Sequence, residues 1–211
     1  MRIISKSKIS DLHLRTILGN FFYLECPDLL RQYNFEDMPR GTTGEIVYGY
    51  IDSQAGLSFQ ACCYATRQGD DVTTTSERQQ NVLILRYGFI KDYEVAQVDY
   101  DFAKDELGSS FKKSIHEDYT PDKMTMTLRQ LEFLDPFRNE EFPDDLKVRI
   151  FREGLLPEDV WVRPNTIKDN KIFGELLNQP YEDYGVNLGA QIQIIPYKME
   201  DGELICISIF E

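Results

Sequence analysis

The chain has 211 residues with 42% hydrophobic and 28% charged side chains, which are ordinary globular values for one large domain or two small ones. Its formal net charge of −13 at pH 7 disfavours nucleic-acid binding, which needs a basic surface to neutralise phosphates, and an anionic membrane surface would repel it. The same acidic balance suits solubility, or docking onto a basic protein partner.

The first third of the chain predicts helices followed by strands. Residues 10–24 predict a helix, because their apolar side chains fall near one helical stripe: Leu12, Leu14, Ile17, Leu18 and Phe21. A short helix is expected from Pro27, since proline fits the first helical position. Residues 45–51 and 57–66 are rich in β-forming side chains and flank a turn, which predicts a hairpin.

The middle of the chain predicts a strand, a loop, another helix and a linker. Residues 81–89 have a continuous apolar centre, which is typical of a strand buried on both faces. Residues 70–80 are polar and predict an exposed loop. Residues 92–110 predict a helix that stops at Gly108, with apolar side chains at helical spacing: Val95, Val98, Phe102 and Leu107. The segment 109–123 is the best candidate for a linker.

The last third predicts one helix and then a series of strands. Thr120 can cap that helix and Pro121 suits its first position, while its apolar stripe consists of Met124, Leu128 and Leu131. The expected strands lie at about 146–152, 159–163, 171–177, 190–197 and 203–210. Asp201 and Gly202 stand between the last two strands and predict a tight hairpin.

These elements predict an α+β protein of two sequential units, with helices packed on mostly antiparallel sheets. The first unit would span residues 1–118. The second, 119–211, would consist of a helix and an antiparallel β meander. This predicted fold does not by itself indicate a functional site, so the candidates are individual residues.

Familiar catalytic motifs are missing from the sequence, which contains no GxGxxG, GxxxxGK[ST], HExxH or GxSxG. The two histidines, His13 and His116, have no partner visible in the sequence, so a structural or solvent-exposed role is favoured over general base catalysis. The sequence therefore predicts no particular catalytic residue and no cofactor.

Four cysteines and a group of carboxylates are the other side chains that could act as metal ligands or reactive groups. The cysteines include the adjacent Cys62 and Cys63 but no CxxC pair, so they are expected to be reduced and buried, as in a cytosolic protein. Acidic residues near the middle could serve acid–base chemistry or bind a hard cation: Asp135, Glu140, Glu141, Asp144 and Asp145. A solvated loop is the favoured interpretation, and no metal site is predicted.

Tyrosines offer a candidate contact surface in two places. Tyr48 and Tyr50 share one face of a predicted strand, where they form either a packed core face or, less favourably, a contact surface. A second group follows Pro180 in a turn bounded by proline and glycine, where side chains project into solvent: Tyr181, Glu182, Asp183 and Tyr184.

The stretch 158–180 contains the only tryptophan. On its first strand Val160 and Val162 would face the core, while Trp161 and Arg163 would face outward. In the strand that follows, Gly174 predicts a bulge or a close backbone approach. Asn178 is expected to adopt a left-handed turn, and Gly189 to supply a positive φ.

Residues of about 142–195 resemble the domain-of-unknown-function family 2314. The resemblance rests on a Lys-containing strand, a Glu-x-x-Trp-Val strand, a Gly-x-Leu-x-Asn-x-Pro segment and a glycine at the next strand entry. The matching positions are Lys147, Glu158, Trp161, Val162, Gly174, Leu176, Asn178, Pro180 and Gly189. The chain departs from the family at Ala190, where an acidic residue is usual, and in its last strand. Related small domains are associated with immunity proteins of bacterial toxin systems, so the resemblance implies a binding role.

The sequence therefore supports two functions. The first is a non-enzymatic, immunity-type binding protein of the bacterial cytoplasm that presents an acidic surface to a basic protein partner. The alternative is an enzyme or small-ligand sensor with a site between the two units, lined by Trp161 and Arg163 with Glu175 opposite. A homo-oligomer was a further possibility.

Overall fold

The computed structural model describes residues 1–26, 28, 29, 32, 38–77, 82–99, 101, 104 and 106–210. The chain divides into two compact units, Met1–Thr120 and Pro121–Glu211, where the sequence placed a boundary between residues 118 and 119. The helix expected from Pro27 begins outside the described residues.

The architecture is mostly β, with 46% of the described residues in strands and 21% in helices. The predicted α+β architecture of helices packed on sheets is therefore wrong. The first unit is a curled sheet and the second is a closed barrel of five strands. In the described part of the chain, no helix is both long enough and apolar enough to cross a membrane.

The first unit contains seven strands in one sheet, with the order β1-β7-β2-β3-β4-β5 and with β6 paired to β4. Their bounds are Ile3–Lys8 (β1), Phe21–Glu25 (β2), Gly44–Asp52 (β3), Gly56–Gln68 (β4), Asp71–Glu77 (β5), Ile84–Arg86 (β6) and Glu94–Val98 (β7). Its described helices are Leu14–Ile17 (α1), Tyr87–Ile90 (α2) and Glu106–Tyr119 (α3), with a 3-10 turn at Ile9–Asp11. The predicted hairpin of β3 and β4 is confirmed.

The sheet curls because its first and fifth strands meet at one end. The amide of Ile3 donates to the carbonyl of Asp70 at 2.8 Å, and the amide of Val72 donates to that of Met1 at 2.8 Å. A bulge between β4 and β5 follows a few residues later, where Tyr64 pairs with Ser76 and Ala65 with Thr74. Such bulges twist an edge strand away from further pairing.

In two segments the helix predicted from the spacing of apolar residues is wrong, and the structure has a strand. Residues 21–24, expected to be helical, lie in β2, and Glu94–Val98 forms β7 between β1 and β2. Val95 and its neighbour Ala96 are both buried, on opposite faces of a strand covered on both sides. Because few polar residues interrupt such a strand, its apolar positions also fit a helical stripe.

Three further expectations for the first unit need correction. The polar segment expected to be a loop contains strand β5, whose successive threonines are β-branched and suit an edge strand. The third strand is short, since β6 ends at Arg86 and α2 follows. The expected linker forms most of α3, and Gly108 lies within that helix instead of ending it.

Helix α3 covers one face of the sheet. Its side chains Phe111 and Ile115 pack with Phe21, Tyr48 and Tyr50, and both tyrosines are buried. Tyr48 and Tyr50 are therefore core residues, as favoured from the sequence, and the contact-surface interpretation is wrong for them. The opposite face packs against the apolar side chains of α1 and α2.

The second unit closes a five-stranded barrel in the order β10-β11-β12-β8-β9. The strands are Leu146–Arg152 (β8), Glu158–Lys168 (β9), Lys171–Leu176 (β10), Gln191–Lys198 (β11) and Leu204–Phe210 (β12), so all five predicted strands are confirmed. Neighbouring strands are antiparallel except at the closure, where β12 pairs with β8 in parallel. An up-and-down meander with an odd number of strands can close only in this way. The predicted Asp-Gly hairpin joins β11 to β12, with Gly202 at a φ of 92°.

Along the barrel strands, side chains alternate between the core and the outer face, as expected. Val148, Val160 and Val162 point inward, and Leu128 and Leu134 pack against the same cluster. These last two belong to helix α4, Lys123–Arg129, and to a 3-10 segment at Glu132–Phe137.

Helix α4 begins later than expected. Asp122, not Thr120, caps it, because the Asp122 carboxylate accepts a hydrogen bond from the amide of Thr125 at 2.9 Å. The apolar stripe of Met124, Leu128 and Leu131 packs on the barrel core.

The four cysteines are all described, all buried, and none is part of a disulfide. The prediction that they are mostly buried is confirmed. Burial also raises the pKa of the Cys206 thiol to about 12, so this thiol stays protonated and unreactive at neutral pH.

Gly174 lies on β10 close to the backbone of β9. A Cβ at this position would stand 2.6 Å from the carbonyl oxygen of Arg163, and the strand register shifts beside it. The expected bulge and close approach are both confirmed.

Gly174→Ala is expected to destabilise the protein by about 1–3 kcal/mol, because backbone atoms must move to admit the methyl group. Urea unfolding followed by Trp161 fluorescence measures the change. Glu175→Ala, at the next and exposed position, is the control and should stay within about 0.5 kcal/mol of the parent. Equal losses in both variants would contradict the close approach.

His116 lies on α3 and joins that helix to the sheet. Its Nε2 is 3.1 Å from the Tyr48 hydroxyl. Burial, and then the nearby charge of Lys112, lower the pKa of His116 from its ordinary 6.5. The structural role favoured for His116 agrees with this contact.

Acid is expected to weaken the first unit through His116. Its folded pKa lies below the unfolded value, so the unfolded chain binds more protons, and stability present above pH 6.5 is lost as pH falls through the folded pKa. Urea midpoints from pH 8 to pH 5 measure this loss. His116→Gln keeps a hydrogen-bonding group without the titration, and its midpoint should fall less; identical profiles would refute the assignment.

Candidate functional site

The acidic residues near the middle of the chain act as partners for arginines. Asp144 accepts two hydrogen bonds from Arg129, at 2.8 and 2.7 Å, and Asp145 accepts two from Arg163, at 2.7 and 3.1 Å. Such bidentate pairs occupy the carboxylate oxygens that a cation or a proton transfer would need. Among the described residues, no three His, Cys, Asp or Glu side chains are grouped so as to hold a metal ion.

Three predicted site residues come together on the outer wall of the barrel. Trp161 and Arg163 project from β9 away from the core, and Trp161 is 36% exposed. Glu175 on β10 pairs directly with Arg163 in the strand register. Lys147 on β8 stands opposite Trp161 on the other side. The tryptophan is thus flanked by strands that carry charges of both signs.

The charges on this wall largely compensate one another. Arg149 donates to both carboxylate oxygens of Asp159, at 2.7 and 3.1 Å, and this hydrogen-bonded pair lowers the pKa of Asp159. The pairing of Arg163 with Asp145 likewise raises the pKa of that guanidinium. The wall around Trp161 is therefore not the acidic surface that the net charge suggested.

A second candidate surface is the loop of residues 177–190, which joins β10 to β11 and is called here the Tyr181 loop. Its first residues continue the β-ladder along β9: the amide of Leu177 donates to the Trp161 carbonyl at 2.8 Å, and the Asn178 side-chain oxygen accepts from the Trp161 amide at 2.7 Å. Asn178 therefore replaces a backbone carbonyl of the ladder.

The left-handed turn expected at Asn178 is wrong. Among the described residues other than glycine, positive φ occurs at Asp169 and Asn170, in the β9–β10 turn. Gly189 does have positive φ, 85°, as predicted. The Asn178 side chain accepts a hydrogen bond from the Trp161 amide instead of bonding to its own backbone, and its φ is not positive.

Further side chains hold the backbone of the Tyr181 loop. The amide of Tyr181 donates to the carboxylate of Glu158 at 2.9 Å, and the amide of Leu188 donates to the Gln179 side chain at 3.0 Å. At the tip, Asp183 accepts from the amide of Gly185 at 2.9 Å. These bonds tie the loop both to β9 and to itself.

Tyr184 was predicted to be a surface residue, and this is wrong. Its side chain is 1% exposed and its hydroxyl donates to the carbonyl of Leu156. Its ring lies edge-on to Phe210, with centroids 6.5 Å apart. Tyr184 therefore anchors the loop from inside. It can do so because Gly185 adopts a φ of 78° and turns the chain immediately afterwards.

The other members of this group do face solvent. Tyr181 is 96% exposed, and Glu182 and Asp183 beside it are exposed acids. Leu156, whose carbonyl receives the Tyr184 hydroxyl, is 85% exposed at the same rim of the barrel. We call Leu156, Tyr181, Glu182 and Asp183 the Tyr181 surface.

Sequence reasoning missed Leu156, Glu158 and Gln179 as contributors to this site. In the sequence, Glu158 is one position of the family resemblance, and no pattern singles out Leu156 or Gln179. Their roles depend on which loop meets the start of β9, which the local sequence does not encode.

Asn178→Ala is expected to destabilise the second unit by about 1 kcal/mol, because the Trp161 amide loses its acceptor. Urea unfolding followed by the fluorescence of Trp161 provides the measurement. Asn178→Asp retains an acceptor oxygen and should remain close to the parent. An alanine variant as stable as the aspartate variant would show that the bond contributes nothing.

No family model, curated protein or solved structure matches the chain. The resemblance to domain-of-unknown-function family 2314 therefore stays a prediction.

Proposed function

We propose that this protein is a non-enzymatic binding protein whose Tyr181 surface docks onto a basic protein partner. The observation that carries the proposal is the almost complete exposure of Tyr181, 96%, on a loop whose backbone is held by side-chain hydrogen bonds. An exposed aromatic side chain on a backbone that is already held offers contact area to a partner without a large ordering cost.

The fixed loop favours binding on entropic grounds. Ordering side chains and loops at an interface costs about 0.5–1.5 kcal/mol for each flexible side chain. Here Asn178, Gln179 and Glu158 hold the backbone before any partner arrives. Tyrosine is among the residues most enriched at binding hot spots, because it offers a large contact area with few rotatable bonds.

Charge indicates the kind of partner. Glu182 and Asp183 directly follow Tyr181, and the chain as a whole carries a net charge of −13. A basic surface would be steered toward this rim and would pair with these exposed carboxylates around the aromatic contact. The paired wall around Trp161 offers less to such a partner, so we assign the main contact to the Tyr181 surface and a positioning role to Asn178.

An immunity-type role in the bacterial cytoplasm is the form of this proposal that the family resemblance supports. In that role an acidic protein neutralises a basic toxin by covering it. The four buried cysteines without disulfides support a reducing compartment.

Affinity capture from the native lysate at low salt, followed by calorimetry with the purified pair, tests the proposal. We expect a stoichiometric basic protein, with Tyr181→Ala weakening its affinity about 30-fold, as for a hot-spot residue that contributes about 2 kcal/mol. The loss of affinity caused by Glu182→Lys should be larger at low salt than at high salt, because salt screens the exposed charge.

Tyr197→Ala is the matched control, since Tyr197 is 47% exposed on β11 of the same unit. Its affinity should equal that of the parent. Failure to recover a stoichiometric partner, or equal binding by Tyr181→Ala and the parent, would refute the proposal.

A further inference from the structure

A group of polar side chains lies on one face of the sheet in the first unit, beside the end of α3. Tyr50 on β3, Ser58 on β4 and Arg86 on β6 stand side by side, because Tyr50 pairs with Ser58 and Ser58 pairs with Arg86. Residues paired across adjacent strands project to the same face, so these three side chains lie together on it.

The guanidinium of Arg86 is held in place by the β3–β4 hairpin. Its Nη1 donates to the Asp52 carboxylate at 3.0 Å and to the Ser58 hydroxyl at 2.7 Å. Asp52 is itself fixed, since it accepts from the amides of Gln54 and Ala55 at 2.9 and 3.2 Å. The side chain of Arg86 nevertheless remains 41% exposed.

The Nε and Nη2 edge of the same guanidinium makes no hydrogen bond to a described residue. These two nitrogens form the planar fork that binds a carboxylate or a phosphate with two parallel bonds. One edge of Arg86 thus serves the hairpin and the other faces away from it.

Tyr50 adds a donor that also has no acceptor. Its side chain is 6% exposed, and its hydroxyl is buried without a hydrogen-bond partner among the described residues. The ring of Tyr119 lies against it, with centroids 4.8 Å apart, but its hydroxyl makes no hydrogen bond of ordinary geometry with Tyr50. Buried polar groups without partners are rare, and each calls for an explanation such as a bound ion or molecule.

The protonation state of Tyr50 suits a donor. Burial, and then Tyr119, raise its pKa to about 12, while Arg86 acts in the opposite direction. The hydroxyl therefore keeps its proton at neutral pH and lies within the electrostatic reach of Arg86.

We propose that the free edge of Arg86 and the hydroxyl of Tyr50 form a binding site for one small oxyanion group, a carboxylate or a phosphate carried by a small molecule. The Arg86 fork binds two of its oxygens and Tyr50 donates to one of them. Asp52 positions Arg86, and Tyr119 lies beside the site at the end of α3. The site is separate from the Tyr181 surface and does not depend on the proposed function.

Titrations of the full chain with sodium phosphate and with sodium acetate, at constant ionic strength against sodium chloride, test the site. We expect a saturable rise of the melting temperature with one of the two salts, since a ligand that binds the native state stabilises it. The salt that succeeds identifies the anion class.

Two variants separate the site from a general salt effect. Tyr50→Phe removes only the hydroxyl and should raise the half-saturating concentration about 10-fold, as expected for a lost hydrogen bond to a charged group. Arg86→Lys keeps the charge but not the fork and should abolish saturation. Without added anion, Tyr50→Phe should melt no lower than the parent, which excludes misfolding as the cause.

Absence of a saturable rise in the parent with either salt would overturn the proposal. So would equal responses of the parent, Tyr50→Phe and Arg86→Lys, because the anion would then act elsewhere on the surface.

Discussion

The parallel ladder between β12 and β8 is the constraint on which the second unit depends. Ile207 to Phe210 pair with Arg149 to Arg152, and this pairing joins the last strand of the meander to the first. Once the barrel is closed, none of its five strands presents an open edge, and alternate side chains in the middle of the strands, such as Val148 and Val160, are enclosed. The same closure determines where β9 begins, and hence where Glu158 and Trp161 receive the Tyr181 loop.

Carboxylates make different contacts on the barrel wall, at the Tyr181 loop and beside Arg86. On the barrel wall, arginines and aspartates meet in bidentate contacts that compensate the charges around Trp161. At the Tyr181 loop, Glu158 and Asp183 accept hydrogen bonds from backbone amides, and the Arg152 guanidinium lies 4.0 Å from the Asp183 carboxylate, which remains solvent-exposed. In the first unit, Asp52 engages only the Nη1 edge of Arg86, and the Nε and Nη2 atoms make no hydrogen bond to a described residue. Geometry, and not the number of charges, decides which carboxylates are paired with arginines.

The sequence predicted the two units unequally well. Strand alternation in the second unit is clear, because each strand of a small closed barrel has one enclosed face and one outer face. In the first unit, β3 is buried along its whole length, and β7 is covered on both faces. Such strands lose their alternation, and Val95 and Val98 then imitate a helix. The mostly β character of the first unit was missed for this physical reason.

Local patterns by themselves determined the five barrel strands, the Asp-Gly hairpin, the close approach at Gly174 and the inward direction of Val160 and Val162, since each depends on neighbours a few residues away. Tertiary structure alone decided that Tyr184 is buried while Tyr181 is exposed, that Asn178 serves the Trp161 amide, and that Arg86 and Tyr50 share a face. Those outcomes join residues distant along the chain, and their burial and hydrogen bonds exist only after the sheets have closed.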